Sequence, residues 1–359
     1  MATRFLTALG VVVLAVLAIP AAAASAATRT VTMGPTPKVE KQLNTRFSSD
    51  VNDFFPHGTT IHVGDRIRFV PANFHTVDFP RRGQGAVPLF SPTGQNVSRA
   101  LDAAGQPFWF NGQPQLGFTP SLLRSGFGKT FTFNGRRRVE SGLPLQNKPK
   151  PMTVRFTRAG TFTFLCDVHA GMKGTVRVLS RGRPIPTARQ HAAKVKAQVA
   201  RGLRIARSLA STKPPSGVVS VGASGRGGVE RFEMFPRTLT VPVGTTVRFQ
   251  MSARTFEVHT ATFGPGDPET QPDSYLGQLA ASLTQPVANP AALYPSERPG
   301  TLATLTSTLH GNGFWNAGVM DRARATPPPS SNSVKFGERG SFTFHCLIHP
   351  FMTGTVVVQ

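Results

Sequence analysis

Two short segments of the chain each carry a cysteine, a histidine and a methionine in the order Cys-x2-His-x2-Met, the second 180 residues after the first. Their members are Cys166, His169, Met172, Cys346, His349 and Met352. A thiolate, an imidazole and a thioether are soft ligands, which suit copper better than magnesium, calcium or manganese. Because the chain has only these two cysteines, a disulfide framework is excluded.

A further histidine in each half completes the same kind of site. A type 1 copper site needs two imidazoles and a thiolate in a trigonal plane, with a weak axial methionine. His75 opens the segment His-Thr-Val-Asp-Phe, and His259 opens His-Thr-Ala-Thr-Phe. We therefore predict two copper sites, one formed by His75 with the Cys166 motif and one by His259 with the Cys346 motif. In each site the cysteine and both histidines would be equatorial and the methionine axial.

Two other assignments fit the same residues. Zinc also binds two histidines and a cysteine, although its fourth ligand is usually a nitrogen, an oxygen or a thiolate rather than a thioether. Alternatively, each cysteine is a buried free thiol beside incidental histidine and methionine. The repetition of the motif, with a matched histidine upstream in each half, favours a metal site over this second assignment.

The repeated motif belongs to a longer duplication. Three further segments recur with an offset of 180 residues: 63–69 at 243–249, 160–164 at 340–344, and 174–176 at 354–356. A period of this length indicates two copies of one domain rather than a solenoid. The expected division of the chain is a signal peptide over 1–27, a domain over 28–180, a connecting segment over 181–228 and a second domain over 229–359.

Both copies have the sequence pattern of an all-β sandwich. Short segments in which polar and apolar residues alternate are bounded by glycine and proline, as at 66–69 and 161–164. Alternation places Phe162 and Phe164 on the same face as Cys166, so the thiol is expected on the core side at a strand end. The corresponding residues of the second copy are Phe342, Phe344 and Cys346.

In each copy a histidine is followed far downstream by Cys-x2-His-x2-Met, and this pattern resembles that of the cupredoxins. Segment 344–354 is especially similar to the ligand loop of the amicyanins. The resemblance implies two tandem Greek-key sandwiches with copper near one end of each. It implies an electron carrier rather than an enzyme, with two blue type 1 coppers cycling between Cu(II) and Cu(I). It also implies that the edge of the loop histidine, His169 or His349, reaches the surface as the electron port.

The middle of each copy lies outside this resemblance. His75 and Cys166 are 91 residues apart, and His259 and Cys346 are 87 apart, intervals much longer than in small plastocyanin-like domains. Each copy therefore carries an insertion, over about 80–151 and 264–333. One interpretation is that these insertions are ordinary elaborated loops. The other is that they have a function, as a docking surface or as a cover over the copper.

Two alternative functions stay open. A two-domain copper oxidoreductase, similar to nitrite reductases or laccases, would need an extra interdomain copper, and His345 beside Cys346 is the candidate ligand. However, strand alternation places His345 on the face opposite Cys346, and the chain has no His-x-His pair, which trinuclear copper sites use. A non-redox copper-binding or storage protein would use the same ligands as an electron carrier.

The N-terminal segment predicts export. Arg4 precedes an apolar run from Leu6 to Ile19, and Ala24-Ser25-Ala26 fits a signal-peptide cleavage site. The run is shorter than the ~20 residues that a membrane-spanning helix needs, although an uncleaved anchor is the alternative. We expect a secreted or extracytoplasmic protein, on the periplasmic or cell-wall side, with no transmembrane span after cleavage.

The connecting segment and the net charge suggest partners. Thr187 and Gln190 form a capping-box pattern before apolar residues at helical spacing, so we predict a basic helix. Packing on a domain is one role for this helix, and contact with an anionic surface is the other. The formal net charge is +23. Because export makes nucleic acid an improbable ligand, the charge favours an acidic redox partner or an anionic cell-surface polymer.

Overall fold

The computed structural model describes residues 26–321 and 330–359. Residues 1–25 of the expected signal peptide therefore lie outside the described part of the chain. Within the described ranges, no helix is both long enough and apolar enough to cross a bilayer.

Most of the regular structure is strand. The strands up to residue 179 are β1 (Thr28–Met33), β2 (Ser49–Val51), β3 (Phe54–Phe55), β4 (Gly58–His62), β5 (Arg66–Pro71), β6 (Asp78–Phe79), β7 (Phe90–Asn96), β8 (Pro114–Phe118), β9 (Thr130–Phe133), β10 (Val139–Glu140), β11 (Met152–Phe156), β12 (Gly160–Leu165) and β13 (Lys173–Leu179). Those that follow are β14 (Val218–Ser224), β15 (Val229–Phe235), β16 (Thr238–Val241), β17 (Thr246–Met251), β18 (Thr262–Phe263), β19 (Thr304–Leu305), β20 (Trp315–Asn316), β21 (Ser331–Phe336), β22 (Gly340–His345) and β23 (Thr353–Val358). The helices are α1 (Pro37–Phe47), α2 (Ala188–Leu209), α3 (Tyr275–Ser282) and α4 (Pro290–Leu293).

The N-terminal half forms a sandwich of two five-stranded sheets, ordered β3-β1-β5-β11-β9 and β10-β6-β12-β13-β4. Alternation along β5 buries Ile67 and Phe69, and these side chains meet Phe164 and Val176 from the other sheet in one apolar core. Several phenylalanine rings in this core meet edge to face, an arrangement that aromatic pairs prefer. The predicted all-β fold is therefore confirmed.

The C-terminal half repeats this arrangement with a six-stranded sheet, β19-β21-β17-β14-β15-β2, facing a five-stranded sheet, β16-β23-β22-β18-β20. Its core contains Val247, Phe249, Phe344 and Val356. The strand β14 lies within residues 181–228, the range that the sequence assigns to the connecting segment, and it pairs with β15 and β17. The exact limits of the two domains stay a prediction.

The two halves are joined through one pair of strands. The strand β2 of the N-terminal half runs antiparallel to β15 of the C-terminal half, and Asp50 lies opposite Glu230. These two residues are themselves 180 positions apart, so equivalent strands of the duplication pair with each other about a local two-fold axis. Such self-complementary contact is typical of the interface between two copies of one fold.

The helix α2 covers this junction. Thr187 and Gln190 form the predicted capping box at its start. Its apolar face, which includes Val199 and Leu203, packs on β2 and β15, beside Val51. The apolar residues of the helix therefore pack on strands from both halves. Of the two roles considered for this helix, the structure shows packing on the folded part of the chain.

The insertions in the two halves pack against each other. Within segment 80–151, Phe108 and Phe110 enter an apolar cluster with Leu276 and Phe314 from segment 264–333. The Trp109 indole donates a hydrogen bond to the Pro295 carbonyl, and the Tyr294 hydroxyl donates to the Pro114 carbonyl. Neither insertion is a simple surface loop, because each buries apolar side chains against the other.

Candidate metal centres

The first centre consists of His75, Cys166 and His169, whose donor atoms all lie within 4.8 Å of one another. Cys166 Sγ is 4.0 Å from His75 Nδ1 and 3.6 Å from His169 Nδ1. The two Nδ1 atoms are 2.9 Å apart. All three residues are buried, and the structure thus brings together the residues that the sequence pairs across 91 positions.

The second centre has the same construction. Cys346 Sγ is 3.7 Å from His259 Nδ1 and 3.8 Å from His349 Nδ1, and the two Nδ1 atoms are 3.1 Å apart. His259 and Cys346 are buried, whereas His349 is partly exposed. Among the described residues, these are the two clusters of at least three histidine, cysteine or acidic residues with converging donor atoms.

The strand ends and one short loop position each thiolate. Cys166 follows β12 directly, and its backbone N–H donates to the Met172 carbonyl while the Met172 N–H donates to the His169 carbonyl. The loop therefore closes on itself and holds cysteine, histidine and methionine at one end of the sandwich. The second loop repeats both hydrogen bonds, from Cys346 to Met352 and from Met352 to His349.

The upstream histidines are held against the loops by the threonine that follows each of them. The Thr76 backbone N–H donates to Cys166 Sγ at 3.4 Å, and the Thr260 N–H donates to Cys346 Sγ at the same distance. The Thr76 hydroxyl also accepts a hydrogen bond from the Asp167 N–H. This explains why the His-Thr dipeptide recurs, since the threonine orients the thiolate while the histidine contributes a ring nitrogen.

Glycines leave room for the two rings. A Cβ atom at Gly34 would lie 3.0 Å from the His75 ring, and one at Gly222 would lie 3.0 Å from the His259 ring. Both glycines have positive φ angles, of 100° and 75°, a conformation that other residues rarely adopt. An alanine at either position would push the ring and strain the backbone.

The donor set fits a copper ion. In each centre, two imidazole nitrogens and a thiolate face the same point. The Nδ1 atoms of the two rings face each other, so at most one of them can carry a proton between them. Met172 and Met352 are fully buried in the same apolar cores as the cysteines, and a thioether is a soft ligand that would suit copper. The metal ligation by all eight predicted residues stays a proposal.

The two thiols have different electrostatic surroundings. Burial opposes ionisation of Cys166, but hydrogen bonds from His169 and His75 outweigh it and hold the pKa of this thiol well below its usual value. Burial raises the pKa of the Cys346 thiol, and its hydrogen bonds with backbone N–H groups do not compensate. The histidines also differ: although burial opposes protonation of His169, Glu257 and Cys166 raise its pKa well above the usual value, whereas burial lowers the pKa of His259 to about 3.

Glu257 lies between the two centres, and the sequence analysis does not single it out. One carboxylate oxygen is 3.1 Å from His169 Nε2, and the other is 3.7 Å from His349 Nε2. The Asn52 side-chain amide donates to the same carboxylate. Despite burial, the neighbouring histidines lower the pKa of Glu257, the first of them being His169. The only sequence signal is an acidic residue two positions before His259, where the first copy has Asn73.

The expectation that His169 reaches the surface is wrong. Its side chain is only 10% exposed, and Nε2 faces Glu257 rather than solvent. The His349 side chain is 18% exposed and lies beside Phe351, of which 54% is exposed. The second centre is therefore the more accessible of the two.

Each insertion also covers a ligand loop. Asp167, next to Cys166, accepts a hydrogen bond from the Val87 N–H, and Val168 packs on Leu122 and Leu143. Leu347, next to Cys346, enters the cluster formed by both insertions. Of the two alternatives for the insertions, the structure supports a cover.

The remaining histidines lie outside the two centres. His345 is buried on β22, with Nδ1 3.9 Å from an Asp267 carboxylate oxygen. It pairs across the sheet with Thr262 and Thr353, and it belongs to neither cluster. The others contact carboxylates or backbone carbonyls; they are His57, His62, His191 and His310.

Comparison with known proteins gives structural similarity only. No protein-family model and no curated protein sequence matches the chain. Among solved structures, amicyanin from Paracoccus versutus is 17% identical, with 42% of this chain and 88% of that chain covered and a TM-score of 0.22. The reduced Cu(I) form of an amicyanin mutant at pH 4 is 19% identical over 42% and 89%, also with a TM-score of 0.22.

A purple cupredoxin from Nitrosopumilus maritimus is 16% identical, with 40% of this chain and 98% of that chain covered and a TM-score of 0.20. Each of these proteins corresponds in length to less than half of the chain described here.

Proposed function

We propose that the chain is an extracytoplasmic electron carrier with two type 1 copper sites. The observation that carries the proposal is the pair of centres, each with two imidazole nitrogens and one cysteine sulfur facing a common point, in which every residue but His349 is buried. Copper held in this way would supply a one-electron Cu(II)/Cu(I) couple. The residues His75, Cys166, His169 and Met172 would hold one ion, and the residues His259, Cys346, His349 and Met352 would hold the other.

The surroundings of the centres favour transfer over catalysis. The sandwich cores fix the cysteines, and the loop hydrogen bonds fix the loop histidines, so little rearrangement accompanies a change in charge. With a buried methionine available as the fourth ligand in each set, the proposed sites leave no position for a substrate. The copper oxidoreductase and the storage protein are the alternatives that the experiment must separate.

The test is copper analysis with visible and electron paramagnetic resonance spectra of the purified chain. We expect two coppers per chain, an intense blue colour from thiolate-to-copper charge transfer, and reversible bleaching by a one-electron reductant. Cys166→Ser should remove one site and Cys346→Ser the other, each leaving about half of the absorbance because the ligand sets are alike. Oxidised protein that is fully loaded with copper and colourless would overturn the proposal.

A control variant separates the alternatives. His345→Ala should leave both the copper content and the blue colour unchanged, because His345 belongs to neither cluster. If instead this variant loses an oxygen- or nitrite-reducing activity of the native protein, the oxidoreductase is correct. Copper that binds but cannot be cycled would indicate storage.

The partner is part of the proposal. An acidic redox protein or an anionic cell-surface polymer would complement the net charge of +23. Association with either should weaken as salt is added, since exposed charges are screened over about 8 Å at physiological ionic strength.

A further inference from the structure

Glu257 connects the loop histidines of the two centres. The Nδ1 atoms of His169 and His349 face their own cysteines, and their Nε2 atoms face the two oxygens of one carboxylate. The carboxylate is buried and is also held by the Asn52 amide. A continuous series of ring, carboxylate and ring therefore runs from one thiolate–imidazole cluster to the other.

The pairing of β2 with β15 produces this contact. Because equivalent strands meet at Asp50 and Glu230, the ligand-bearing ends of the two sandwiches face each other. Phe256 packs against the first centre's loop, where a Cβ atom on Gly171 would lie 2.7 Å from its ring. The chain then reaches Glu257 two residues before His259. The contacts at the junction therefore fix the position of Glu257, which is a buried side chain and not a mobile one on the surface.

The two centres differ in their access to solvent. His75, Cys166 and His169 are all buried, and the insertion over 80–151 covers the loop between the last two. At the second centre, His349 contacts Phe232 with ring centroids 5.0 Å apart, and the neighbouring Phe351 is exposed. The second centre is therefore the more accessible of the two to an external electron donor.

We propose that the two centres act in series, with electrons entering at His349 and passing to the first centre through Glu257. This proposal rests on the proposed function above. With copper bound, one electron from an external one-electron reductant would reduce the second centre at His349. It would then pass through Glu257 and His169 to the first centre, which would be reduced as the second is reoxidised, and no proton or atom changes place.

The test is the kinetics of reduction by a bulky one-electron reductant, such as a viologen radical generated by a pulse, with the copper-loaded full chain. We expect a phase whose rate depends on reductant concentration, followed by a phase that does not. Cys166→Ser should keep the first phase at its native rate and lose the second phase. Cys346→Ser should keep the blue colour of the first centre but reduce it much more slowly. If Cys346→Ser is reduced at the native rate, the series arrangement is wrong.

Variants of Glu257 test the connecting residue with both centres in place. Glu257→Leu removes both acceptor oxygens, and Glu257→Gln keeps one. We expect the concentration-independent phase to slow several-fold in the leucine variant and less in the glutamine variant, while the first phase is not slowed. Both variants should also raise the reduction potentials of the centres, because a negative charge beside a cation stabilises its more positive state.

The matched control is Glu233→Gln, which removes one carboxylate from the same half of the chain. Glu233 forms ion pairs with Arg231 and Arg237 and not with a histidine. It should alter neither phase. An unchanged second phase in Glu257→Leu would exclude Glu257 as the connection, and the glutamine variant decides the point if the leucine variant does not fold. Loss of copper or colour from native protein would instead refute the proposed function, so the two failures are distinguishable.

Discussion

Leu347 links the second ligand loop to the packing of the two insertions, and truncating it to alanine tests that link. Its side chain is only 1% exposed and lies in a cluster with Phe108, Phe110 and Leu276. Replacing a buried leucine by alanine costs about 2–5 kcal/mol, from lost burial and from the cavity left behind. For a unit of about 150–250 residues, each kcal/mol lowers Tm by roughly 2–4 °C, so we expect a fall of roughly 4–20 °C.

The substitution should also affect one centre selectively. Leu347 is bonded directly to Cys346, whereas the first copy has Asp167 at the corresponding position, in contact with Val87 and Thr76. Loosening the second loop should broaden the resonance signal of the second copper and leave that of the first unchanged. Calorimetry of the Leu347→Ala variant measures the stability, and spectra recorded in a Cys166→Ser background isolate the second centre.

Leu302→Ala is the matched control, because Leu302 is in the same half and is 52% exposed. Its effect should stay within about 0.5 kcal/mol, as for most surface substitutions. The reasoning fails if Leu347→Ala lowers Tm no more than this control does. It also fails if both centres change equally, since the insertions would then not cover the second loop specifically.

Two further predictions concern the contacts that hold the insertions and the connecting helix. Although burial opposes protonation, the hydrogen bonds that His310 donates to Glu297 and Asp102 raise its pKa. The stabilising contribution of His310 is therefore complete below the unfolded value of about 6.5 and is lost as pH rises through the raised value. Denaturant titrations should show this loss in native protein and not in His310→Gln. Thr187→Ala should lower the free energy of unfolding by about 1 kcal/mol, measured in urea, because the Thr187 hydroxyl caps α2 by accepting from the Gln190 N–H.

The residues that form the centres could be predicted because the duplication repeats them. His75 lies 91 positions from Cys166, a separation at which no local pattern connects two residues, yet the second copy has the same pair. The alternation in β12 and β22 then predicts which side of the sheet carries the thiol. The structure buries Cys166 and Cys346 in the sandwich cores, as that alternation requires.

The contacts between the halves could not be predicted in the same way. Glu257, Phe256 and the insertion cluster depend on how two sandwiches pack, and such contacts join segments that have no shared periodicity. The pairing of β2 with β15 decides which ends of the sandwiches meet, and β2 is only three residues long. For the same reason the cupredoxin resemblance implies a surface position for His169, which would hold for one sandwich alone but not for two whose ligand-bearing ends meet.

The distribution of acidic residues connects this junction to the proposed function. Six of the 17 acidic residues are buried, which is unusual because a carboxylate away from water needs a compensating partner. Glu257 lies between the two centres, and Asp167 lies next to Cys166. Despite burial, the neighbouring histidines lower the pKa of Glu257, so its carboxylate would stabilise a cation at either centre, whereas burial raises the pKa of Asp167 to about 7. Glu257 would thus be an internal counter-charge for the proposed metal ions, separate from the net charge of +23 on which the proposed acidic partner rests.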